Sequence, residues 1–408
     1  MSDRKTFVIV GGGLAGAKAA ESLRDAGFDG RLVIVADEAA PPYERPPLSK
    51  GYLAGDSTVA DAQVHDERFY ADHAIDLRTS TRAVELDPDA RRLALSDGEQ
   101  LAYDALLIAT GATPRRPPID GADGEHVFVL RSLADADALR AATCPGGHLV
   151  IVGAGWIGCE VAATARRLGA DVTLIEHGSV PLERVLGLEL GGFFADLHRG
   201  RGVELIARAG VASIERGGRA VRLAGGQALD CDAVLLAVGV TPATGVAAAA
   251  GLAVDDGIVT DDRLRTSAPG VFAAGDVASV MHSRYGRRIR VEHWDTAAAQ
   301  GTAVALSMLG ESRPYAKLPY FFSDQYDLGL EYVGRHDPGD ELVIRGSLDD
   351  ARFQALWVSR DRTVSAGMHV NDWDAIGPIR ALVESRAKVD PAWLADPGHA
   401  RPEDTRAA

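Results

Sequence analysis

The sequence predicts an α/β protein with two parallel-sheet units and a C-terminal α+β region. A short apolar run, a glycine-rich turn and a helical pattern follow one another from Thr6 to Leu23, and the same series returns from Leu149 to Leu168. This repeated strand–turn–helix pattern is typical of a parallel sheet covered by helices. From about Leu318 the pattern changes to alternating and aromatic runs, which favour antiparallel strands followed by a short helix.

The glycines of the first unit stand in the spacing G-x-G-x-x-G. Gly11 allows a tight turn, Gly13 lets a pyrophosphate approach the backbone, and Gly16 lets helix and strand pack closely. The following helix would present free N–H groups and the positive end of its dipole to an anion. A second strand ends in Asp37 and Glu38, about 20 residues beyond the last glycine, where a carboxylate can bind a ribose hydroxyl. The unit therefore predicts a Rossmann-like dinucleotide site.

A second unit repeats this pattern with Gly153, Gly155 and Gly158, and its second strand ends in Glu176. Two complete units in one chain are a far stronger indication than one glycine motif. Glu176 would accept from a ribose 2′-hydroxyl and would repel a 2′-phosphate, and His177 rather than an arginine follows it. The second unit is therefore expected to prefer NADH to NADPH.

Two further strands end in small, glycine-containing turns. Ala109-Thr110-Gly111 follows one apolar run and Val238-Gly239 follows another, as suits close approach of backbone to a ligand. In the segment VFAAGDV, Asp276 follows an apolar strand and a glycine, and it is either a helix N-cap or a ligand to a polyol chain. Glu160, two residues past the last glycine of the second unit, either faces the ligand or is an acid favoured by the helix dipole.

The segment APPYERPPLSKGYLAG, residues 40–55, follows the second predicted strand. Its prolines are expected to exclude a helix up to Pro47, whereas a helix can begin from Leu48. Arg45 and Lys50 flank the prolines. They are either ordinary surface cations or cations that a rigid segment presents to a ligand.

Charge and cysteine content exclude several classes of protein. The net charge of −15 disfavours nucleic acid and anionic lipid as partners of the chain as a whole. Cys144, Cys159 and Cys231 are far apart, so a zinc site, a dithiol centre or a disulfide framework is not expected. We therefore expect no metal and a reducing, cytoplasmic location. No apolar run approaches 18 residues, so no membrane span is expected either.

The two units and five motifs resemble one family. ERPPLSKGYLAG, LLIATGATPR, VFAAGDV, EHWDTAAAQG and FFSDQYDLGLEYVG follow in this order over nearly the whole chain. Together they resemble the FAD-dependent, NADH-using ferredoxin reductases of oxygenase systems, and also rubredoxin reductases and the redox core of apoptosis-inducing factor. The resemblance implies a glutathione-reductase-like fold. It has an FAD-binding domain (1–113 and 243–317), an NADH-binding domain (114–242) and a C-terminal α+β domain (318–408).

The resemblance also implies roles for individual residues. Asp37 matches the acid on the FAD ribose, Asp276 the acid on the ribityl chain, and Trp294 a helix start facing the flavin. Lys50, beside the isoalloxazine, and Glu160, near the nicotinamide, are the candidate catalytic residues. The residues implied for FAD are Gly11, Gly13, Leu14, Ala15, Gly16, Asp37, Arg45, Lys50, Ala83, Ala109, Thr110, Gly111, Arg131, Gly275, Asp276, Trp294 and Phe322. Those implied for NADH are Gly153, Gly155, Trp156, Ile157, Gly158, Glu160, Glu176, Val238 and Gly239.

Two features distinguish the chain from its wider relatives. Tyr320 and Phe322 stand where ferredoxin reductases commonly carry tryptophans, and Phe322 can still cover the flavin as an aromatic ring. Disulfide-reductase relatives carry a cysteine pair beside the flavin, whereas the comparable segment here has Pro47 and Lys50 and no cysteine. This absence disfavours an NADH oxidase or peroxidase.

The resemblance implies that electrons pass from NADH through FAD, one at a time, to a 2Fe–2S ferredoxin of a haem monooxygenase or Rieske dioxygenase. The alternatives are an NADH-sensing flavoprotein of the apoptosis-inducing-factor type and a rubredoxin reductase. An acidic ferredoxin would need a local basic patch on this acidic chain, and the candidate is Arg284, Arg287, Arg288 and Arg290. The alternative is a solvated hairpin whose arginines balance nearby acids.

Overall fold

The computed structural model describes residues 4–311 and 313–398, which group into two compact units. The first unit consists of the chain up to Arg115, Arg131–Leu133 and Val240–Lys317. The second consists of Arg116–Leu130, Ala134–Gly239 and the chain from Leu318 onward. The division into three domains stays a prediction.

The chain up to Arg115 begins the first unit. Its elements are β1 (Thr6–Val10), α1 (Leu14–Asp25), β2 (Arg31–Val35), a 3-10 helix (Pro46–Ser49), α2 (Gly51–Ala54), α3 (Val59–Ala62), α4 (Glu67–Asp72), β3 (Ile75–Arg78), β4 (Ala83–Asp87), β5 (Arg92–Leu95), β6 (Gln100–Ala102), β7 (Ala105–Ile108) and β8 (Ala112–Pro114).

The middle of the chain contributes to both units. Its elements are β9 (Val127–Phe128), α5 (Leu133–Ala142), β10 (His148–Val152), α6 (Trp156–Arg167), β11 (Asp171–Ile175), α7 (Glu183–Gly200), β12 (Val203–Ile206), β13 (Val211–Glu215), β14 (Ala220–Leu223), β15 (Ala228–Asp230), β16 (Ala233–Leu236), β17 (Val240–Pro242), α8 (Gly245–Ala249), β18 (Ile258–Thr260), β19 (Val271–Ala273), β20 (Ala278–His282), β21 (Arg287–Ile289) and α9 (Trp294–Met308).

The C-terminal segment belongs to the second unit. Its elements are β22 (Tyr320–Gln325), β23 (Leu328–Gly334), β24 (Glu341–Ser347), β25 (Arg352–Val358), β26 (Val364–Val370), α10 (Ile376–Ser385) and α11 (Pro391–Ala395).

A parallel sheet in the order β19-β7-β1-β2-β3 forms the centre of the first unit. Phe7 to Val10 and Leu32 to Val35 are buried, as a strand covered on both faces requires. Helix α1 packs against α9. Antiparallel strands accompany the sheet in the orders β4-β5-β6 and β17-β8, and β18 pairs parallel with β20, which pairs antiparallel with β21.

The second unit contains a parallel sheet in the order β12-β11-β10-β16-β9 and a small antiparallel sheet, β13-β14-β15. The C-terminal segment adds an antiparallel sheet in the order β22-β23-β26-β25-β24, against which α10 packs. The predicted fold class is confirmed by the two parallel sheets and the C-terminal antiparallel one. None of the helices described here is both long and apolar enough to cross a membrane.

The expectation that prolines exclude a helix up to Pro47 is wrong by two residues. A 3-10 helix begins at Pro46 and ends at Ser49, before α2 begins at Gly51. Proline is tolerated at the first helical positions, because the N–H that it lacks would have no partner within the helix there.

Candidate functional site

The carboxyl ends of four parallel strands meet at one edge of the first unit's sheet. Val10 pairs with Val35 and with Ile108, and Ile108 pairs with Ala273, so β1, β2, β7 and β19 end at a common level. The residues that follow these strands therefore share this edge. They include the predicted FAD residues Gly11, Asp37, Ala109, Thr110, Gly111, Gly275 and Asp276.

The three glycines of the first unit differ in the space around them. Gly11 has φ +123°, and a Cβ there would lie 2.2 Å from the carbonyl oxygen of Ala109. A Cβ on Gly16 would lie 2.2 Å from the carbonyl oxygen of Gly11. In contrast, a Cβ on Gly13, the N-cap of α1, would meet nothing within 4 Å. The N-terminus of α1 thus faces open space, which fits a pyrophosphate held by backbone N–H groups.

The second unit repeats this geometry at the N-terminus of α6. A Cβ on Gly153 would lie 2.6 Å from the carbonyl oxygen of Ala237, and one on Gly158 would lie 2.0 Å from that of Gly153. A Cβ on Gly155 would meet nothing within 4 Å. Each unit therefore has a glycine turn that tolerates no side chain at two positions and opens toward solvent at the third.

Asp276 pairs with Arg131 in the first unit. The Arg131 Nη2 donates to Asp276 Oδ2 at 2.8 Å, and Asp276 is only 9% exposed. The backbone carbonyl of Arg131 accepts from the Arg45 guanidinium. The predicted FAD residues Arg45, Arg131 and Asp276 thus form one connected group.

A cluster of Glu38, Tyr43 and Arg45 supports this group and was not predicted from the sequence. Arg45 donates to Glu38 at 2.8 Å and to the Tyr43 hydroxyl at 3.1 Å, while Tyr43 donates to the other oxygen of Glu38. The N–H of Leu133 donates to the Tyr43 hydroxyl at 3.2 Å. Burial raises the pKa of that hydroxyl, although the charge of Arg45 opposes the shift, so Tyr43 stays protonated and can donate.

The turn that carries Gly275 and Asp276 is held from α9. Gly275 has φ +80°, and its N–H donates to the buried Gln300 side chain at 2.8 Å. A Cβ on Gly275 would lie 3.1 Å from the Ala15 side chain, so both residues must be small. Gln300 lies in the EHWDTAAAQG motif, but the sequence alone did not distinguish it from its neighbours. Trp294 is the first residue of this helix, and Leu14 is the first residue of α1.

The other residues predicted for FAD lie on the same unit with one exception. Asp37 is exposed and pairs with Arg82 at 3.1 Å, directly before Ala83 at the start of β4. Lys50 is half-buried and ends the 3-10 helix, where its N–H donates to the carbonyl of Pro47 at 3.0 Å. Phe322 lies on β22 in the second unit.

Glu176 is held by the glycine turn of the second unit. One of its oxygens accepts from the N–H of Ala154 at 2.8 Å and the other from the N–H of Gly178 at 2.7 Å. The carboxylate is therefore oriented at the carboxyl edge of the sheet, as a ribose ligand requires. Val238 and Gly239 follow β16 at the same edge, and Trp156 and Ile157 begin α6.

Glu160 lies one turn into α6 and is 4% exposed. The hydroxyl of Ser323 donates to its Oε1 at 2.7 Å. Ser323 is fully buried on β22, the strand that also carries Tyr320 and Phe322. This contact was not predicted, because the two residues are 163 positions apart and neither motif contains both.

Arg288 and Arg290, from the predicted docking run, make contacts within the first unit. Arg288 donates to the carbonyl oxygens of Thr260 and Ser279, at 2.7 Å each. The Arg290 side chain is 9% exposed and pairs with Asp256 and Glu292. In contrast, Arg287 is exposed and Arg284 is half-buried. The run is therefore partly structural.

Residues 5–301 match the family model of pyridine nucleotide-disulphide oxidoreductases, and residues 320–400 match a reductase C-terminal domain. The chain is 37% identical to the ferredoxin reductase subunit of a 5,5'-dehydrodivanillate O-demethylase from Sphingobium sp., over 95% of both chains. It is 35% identical to putidaredoxin reductase of Pseudomonas putida, over 97% of this chain and 96% of the relative.

Solved structures show the same similarity. The crystal structure of a covalent putidaredoxin reductase–putidaredoxin complex matches with a TM-score of 0.95 and 34% identity, over 99% of both chains. The ferredoxin reductase for the CYP199A2 system from Rhodopseudomonas palustris matches with a TM-score of 0.94 and 35% identity, over 99% of this chain and 100% of that chain. The predicted resemblance is thus confirmed. The chain belongs to the pyridine nucleotide-disulphide oxidoreductase family and, within it, to the ferredoxin reductases of oxygenase systems, which bind FAD and NAD(H).

Proposed function

We propose that this protein takes electrons from NADH and passes them, through bound FAD, one at a time to a 2Fe–2S ferredoxin that serves an oxygenase. The observation that carries the proposal is similarity along the whole chain to ferredoxin reductases, with 37% identity over 95% of both chains in one case. The relatives include the reductase components of biphenyl and anthranilate dioxygenase systems and putidaredoxin reductase.

The first unit is the proposed FAD site. Its glycine turn has room for a pyrophosphate at Gly13, and Asp37 is exposed near Ala83, where a ribose and an adenine could bind. Asp276 and Arg131 supply an oriented pair of polar groups at the same edge of the sheet. When bound there, FAD would accept two electrons with a hydride and release them singly, which links NADH to a one-electron ferredoxin.

The second unit is the proposed NADH site. Gly155 opens toward solvent at the N-terminus of α6, and Glu176 is oriented by two backbone N–H groups. Its negative charge favours a 2′-hydroxyl over a 2′-phosphate, which supports NADH as the donor. Trp156 and Ile157 would lie beside the bound nucleotide because they begin this helix.

Lys50 and Glu160 are the proposed catalytic residues. Lys50 would stabilise the negative charge that develops on the isoalloxazine as hydride arrives, because a cation fixed near developing charge lowers the barrier. The 3-10 helix that precedes it begins with two prolines, whose fixed φ angles support a defined position for Lys50. Glu160 would bind at the nicotinamide end of NADH, which its position one turn into α6 supports.

The proposed partner is an acidic ferredoxin that docks at the hairpin of β20 and β21. A chain with a net charge of −15 repels an acidic partner at long range and needs a local basic surface for productive docking. Arg287 is the better candidate for direct contact, because it is exposed, whereas the Arg290 side chain is only 9% exposed and the Arg288 guanidinium donates to two backbone carbonyls.

A disulfide-based reaction has little support. Cys144 is exposed and Cys159 and Cys231 are buried, and all three are free. Burial and the nearby carboxylates of Glu160 and Glu176 raise the pKa of the Cys159 thiol, which disfavours the reactive thiolate. Free cysteines also suit the proposed cytoplasmic location, which cell fractionation would test.

The test is reduction of cytochrome c driven by NADH, with and without a panel of purified 2Fe–2S ferredoxins. Strong stimulation by ferredoxins of oxygenase systems is expected, with NADH used far better than NADPH. A rate that no ferredoxin changes, although NADH reduces the bound flavin quickly, would favour a sensing flavoprotein instead.

A further inference from the structure

A buried chain of hydrogen bonds in the second unit ends on Glu160. Ser323 Oγ donates to Glu160 Oε1 at 2.7 Å, and Gln325 Nε2 donates to Ser323 Oγ at 3.3 Å. The other end of the Gln325 amide, Oε1, lies 3.0 Å from His198 Nε2. The His198 Nδ1 in turn lies 3.0 Å from the Tyr326 hydroxyl. These five residues are called the Glu160 chain below.

The hydrogen bonds of the Glu160 chain all run in one direction, from Tyr326 toward Glu160. Burial lowers the pKa of His198 to about 4, against the opposing effect of its hydrogen bond to Gln325, so the ring is neutral near pH 7. Because Gln325 Oε1 can only accept, the single ring proton lies on His198 Nε2. The Nδ1 then accepts from Tyr326. Each hydrogen bond of the chain thus runs from Tyr326 toward Glu160, which accepts the last of them.

The three middle residues of the Glu160 chain are polar although they are fully buried, and packing alone does not require polar side chains there. Ser323, Gln325 and His198 are 0% exposed. Burying such groups is costly unless each is hydrogen-bonded, whereas apolar side chains would pack there without that requirement. A fully satisfied buried network gives rigidity to the groups that it contains. In this protein that rigidity reaches a carboxyl group in the proposed NADH site.

Strand β22 presents this network along α6. Successive residues of a strand alternate between its two faces, so Phe321, Ser323 and Gln325 share one face. Phe321 packs on Trp156, the first residue of α6, with ring centroids 4.8 Å apart, and Ser323 contacts Glu160 one turn further along. This face of the strand therefore follows the helix that would bind the NADH pyrophosphate.

Tyr320 and Phe322 lie on the opposite face of β22. Tyr320 donates to Glu331, which also accepts from the buried His369 at 2.8 Å. Phe322 on β22 is directly opposite the same glutamate, Glu331 on β23, in the antiparallel register. The replacement of the family's tryptophans at these two positions therefore leaves the face that contacts Glu160 intact.

We propose that Ser323 and Gln325, supported by His198 and Tyr326, are positioning residues that hold the Glu160 carboxyl in one orientation toward the nicotinamide of NADH. This inference rests on the proposed function in so far as it assigns NADH to the second unit. A glutamate side chain has several rotatable bonds, and a small displacement of a group at the reacting end of a substrate can slow the chemical step strongly. Without Ser323, the carboxyl would lose the bond that fixes one of its oxygens.

The test compares Ser323→Ala, Ser323→Thr and Ser365→Ala in FAD-loaded protein. Ser365 is a matched control, because its hydroxyl donates to Asp340 at 2.6 Å in the same unit without a role in the proposed site. Stopped-flow absorbance gives the rate constant of flavin reduction at saturating NADH and the intensity of the long-wavelength flavin–nicotinamide band. Calorimetry gives the dissociation constant of NAD⁺.

Ser323→Ala is expected to slow flavin reduction by about tenfold and to weaken the long-wavelength band. The NAD⁺ dissociation constant should change by less than about threefold, because the glycine turn and Glu176 remain. Ser323→Thr keeps the hydroxyl and should restore most of the rate, and Ser365→Ala should behave as wild type. Gln325→Met, which removes the support of Ser323 with little change in volume, should cause a smaller loss of the same kind.

Three results would overturn the inference. They are a Ser323→Ala protein with the wild-type rate and band, an equal loss in Ser365→Ala, and a loss that Ser323→Thr does not reverse. Should Ser323→Ala fail to fold, as judged by FAD content and thermal unfolding, Gln325→Met decides the question with the same measurements. A wild-type protein that NADH reduces but that passes no electrons to ferredoxin contradicts the proposed partner, whereas the positioning of Glu160 is judged by flavin reduction alone.

Discussion

Arg131 donates to the carboxylate of Asp276 at 2.8 Å, and this contact joins two segments that are 145 residues apart in the sequence. Arg131 belongs to the short segment Arg131–Leu133, which groups with the first unit, whereas the residues before and after this segment group with the second. Arg45 and Tyr43 hold that segment through the backbone of Arg131 and Leu133. The proposed flavin site is thus built from segments that meet only in the folded protein.

Arg131→Ala should lower the FAD content of purified protein. Asp276 would keep its buried position without the cation that now pairs with it, at a cost of about 1–3 kcal/mol. The ratio of flavin absorbance to protein, and the FAD concentration that restores it, measure the effect. The control is Arg222→Ala, which removes an exposed ion pair with Glu215 in the second unit. Equal FAD affinity in wild type and Arg131→Ala would show that the Arg131–Asp276 ion pair does not contribute to flavin binding.

Lys50→Ala should slow the reduction of bound flavin by NADH by roughly tenfold or more, because a cation near the developing charge is lost. The fold should stay intact, because Lys50 is half-buried and lies at the end of the 3-10 helix rather than in the hydrophobic core. Single-turnover stopped-flow absorbance measures the rate. Arg68→Ala, which removes an exposed cation from α4, is the control. An unchanged rate in Lys50→Ala would show that Lys50 is an ordinary surface cation with no role in hydride transfer.

Glu176→Gln combined with His177→Arg should raise the ratio of kcat/KM for NADPH to that for NADH by roughly tenfold. A repulsive charge is removed and a cation for the 2′-phosphate is added. The use of NADH should fall as well, because Glu176 also binds the N–H groups of Ala154 and Gly178. Glu204→Gln, on the neighbouring strand β12, should leave the ratio unchanged. Wild-type protein that uses both nucleotides equally would show that Glu176 is not the selector.

Arg287→Glu should slow association with an acidic ferredoxin by about three- to tenfold at low salt and flatten the dependence of that rate on salt. Activity from NADH to ferricyanide, a small acceptor, should not change. Arg360→Glu makes the same change of charge at an exposed position of the second unit and serves as the control. Equal association rates for Arg287→Glu and wild type would place ferredoxin docking elsewhere. Arg288 is a poor choice for this test, because its side chain binds two backbone carbonyls.

The glycine turns could be predicted from the sequence because the spacing of the motif is local. Gly16 must lack a side chain because a Cβ there would meet the carbonyl of Gly11 in the same turn, whereas a Cβ on Gly11 would meet the carbonyl of Ala109, which follows another strand. The strand endings that carry Asp276 and Glu176 were predictable for the same reason. Apolar runs mark the strands, and parallel strands bring their carboxyl ends to one edge.

The contacts that orient these residues could not be predicted, because they depend on tertiary packing. Nothing in the sequence around Glu160 indicates Ser323, and nothing around Arg131 indicates Asp276. The arginine run illustrates the opposite problem. Sequence spacing groups Arg284 to Arg290 as one cluster of charge, whereas the fold uses Arg288 and Arg290 for internal contacts.

The proposed path of electrons from NADH to ferredoxin is tested most directly by anaerobic transfer to a purified 2Fe–2S ferredoxin, with the protein in catalytic amount. The loss of NADH absorbance and the bleaching of the iron–sulfur cluster are followed together. We expect two ferredoxin molecules to be reduced for each NADH consumed, and NADPH to support a much lower rate. Rapid reduction of the bound flavin by NADH, with every tested ferredoxin left oxidised, would contradict it.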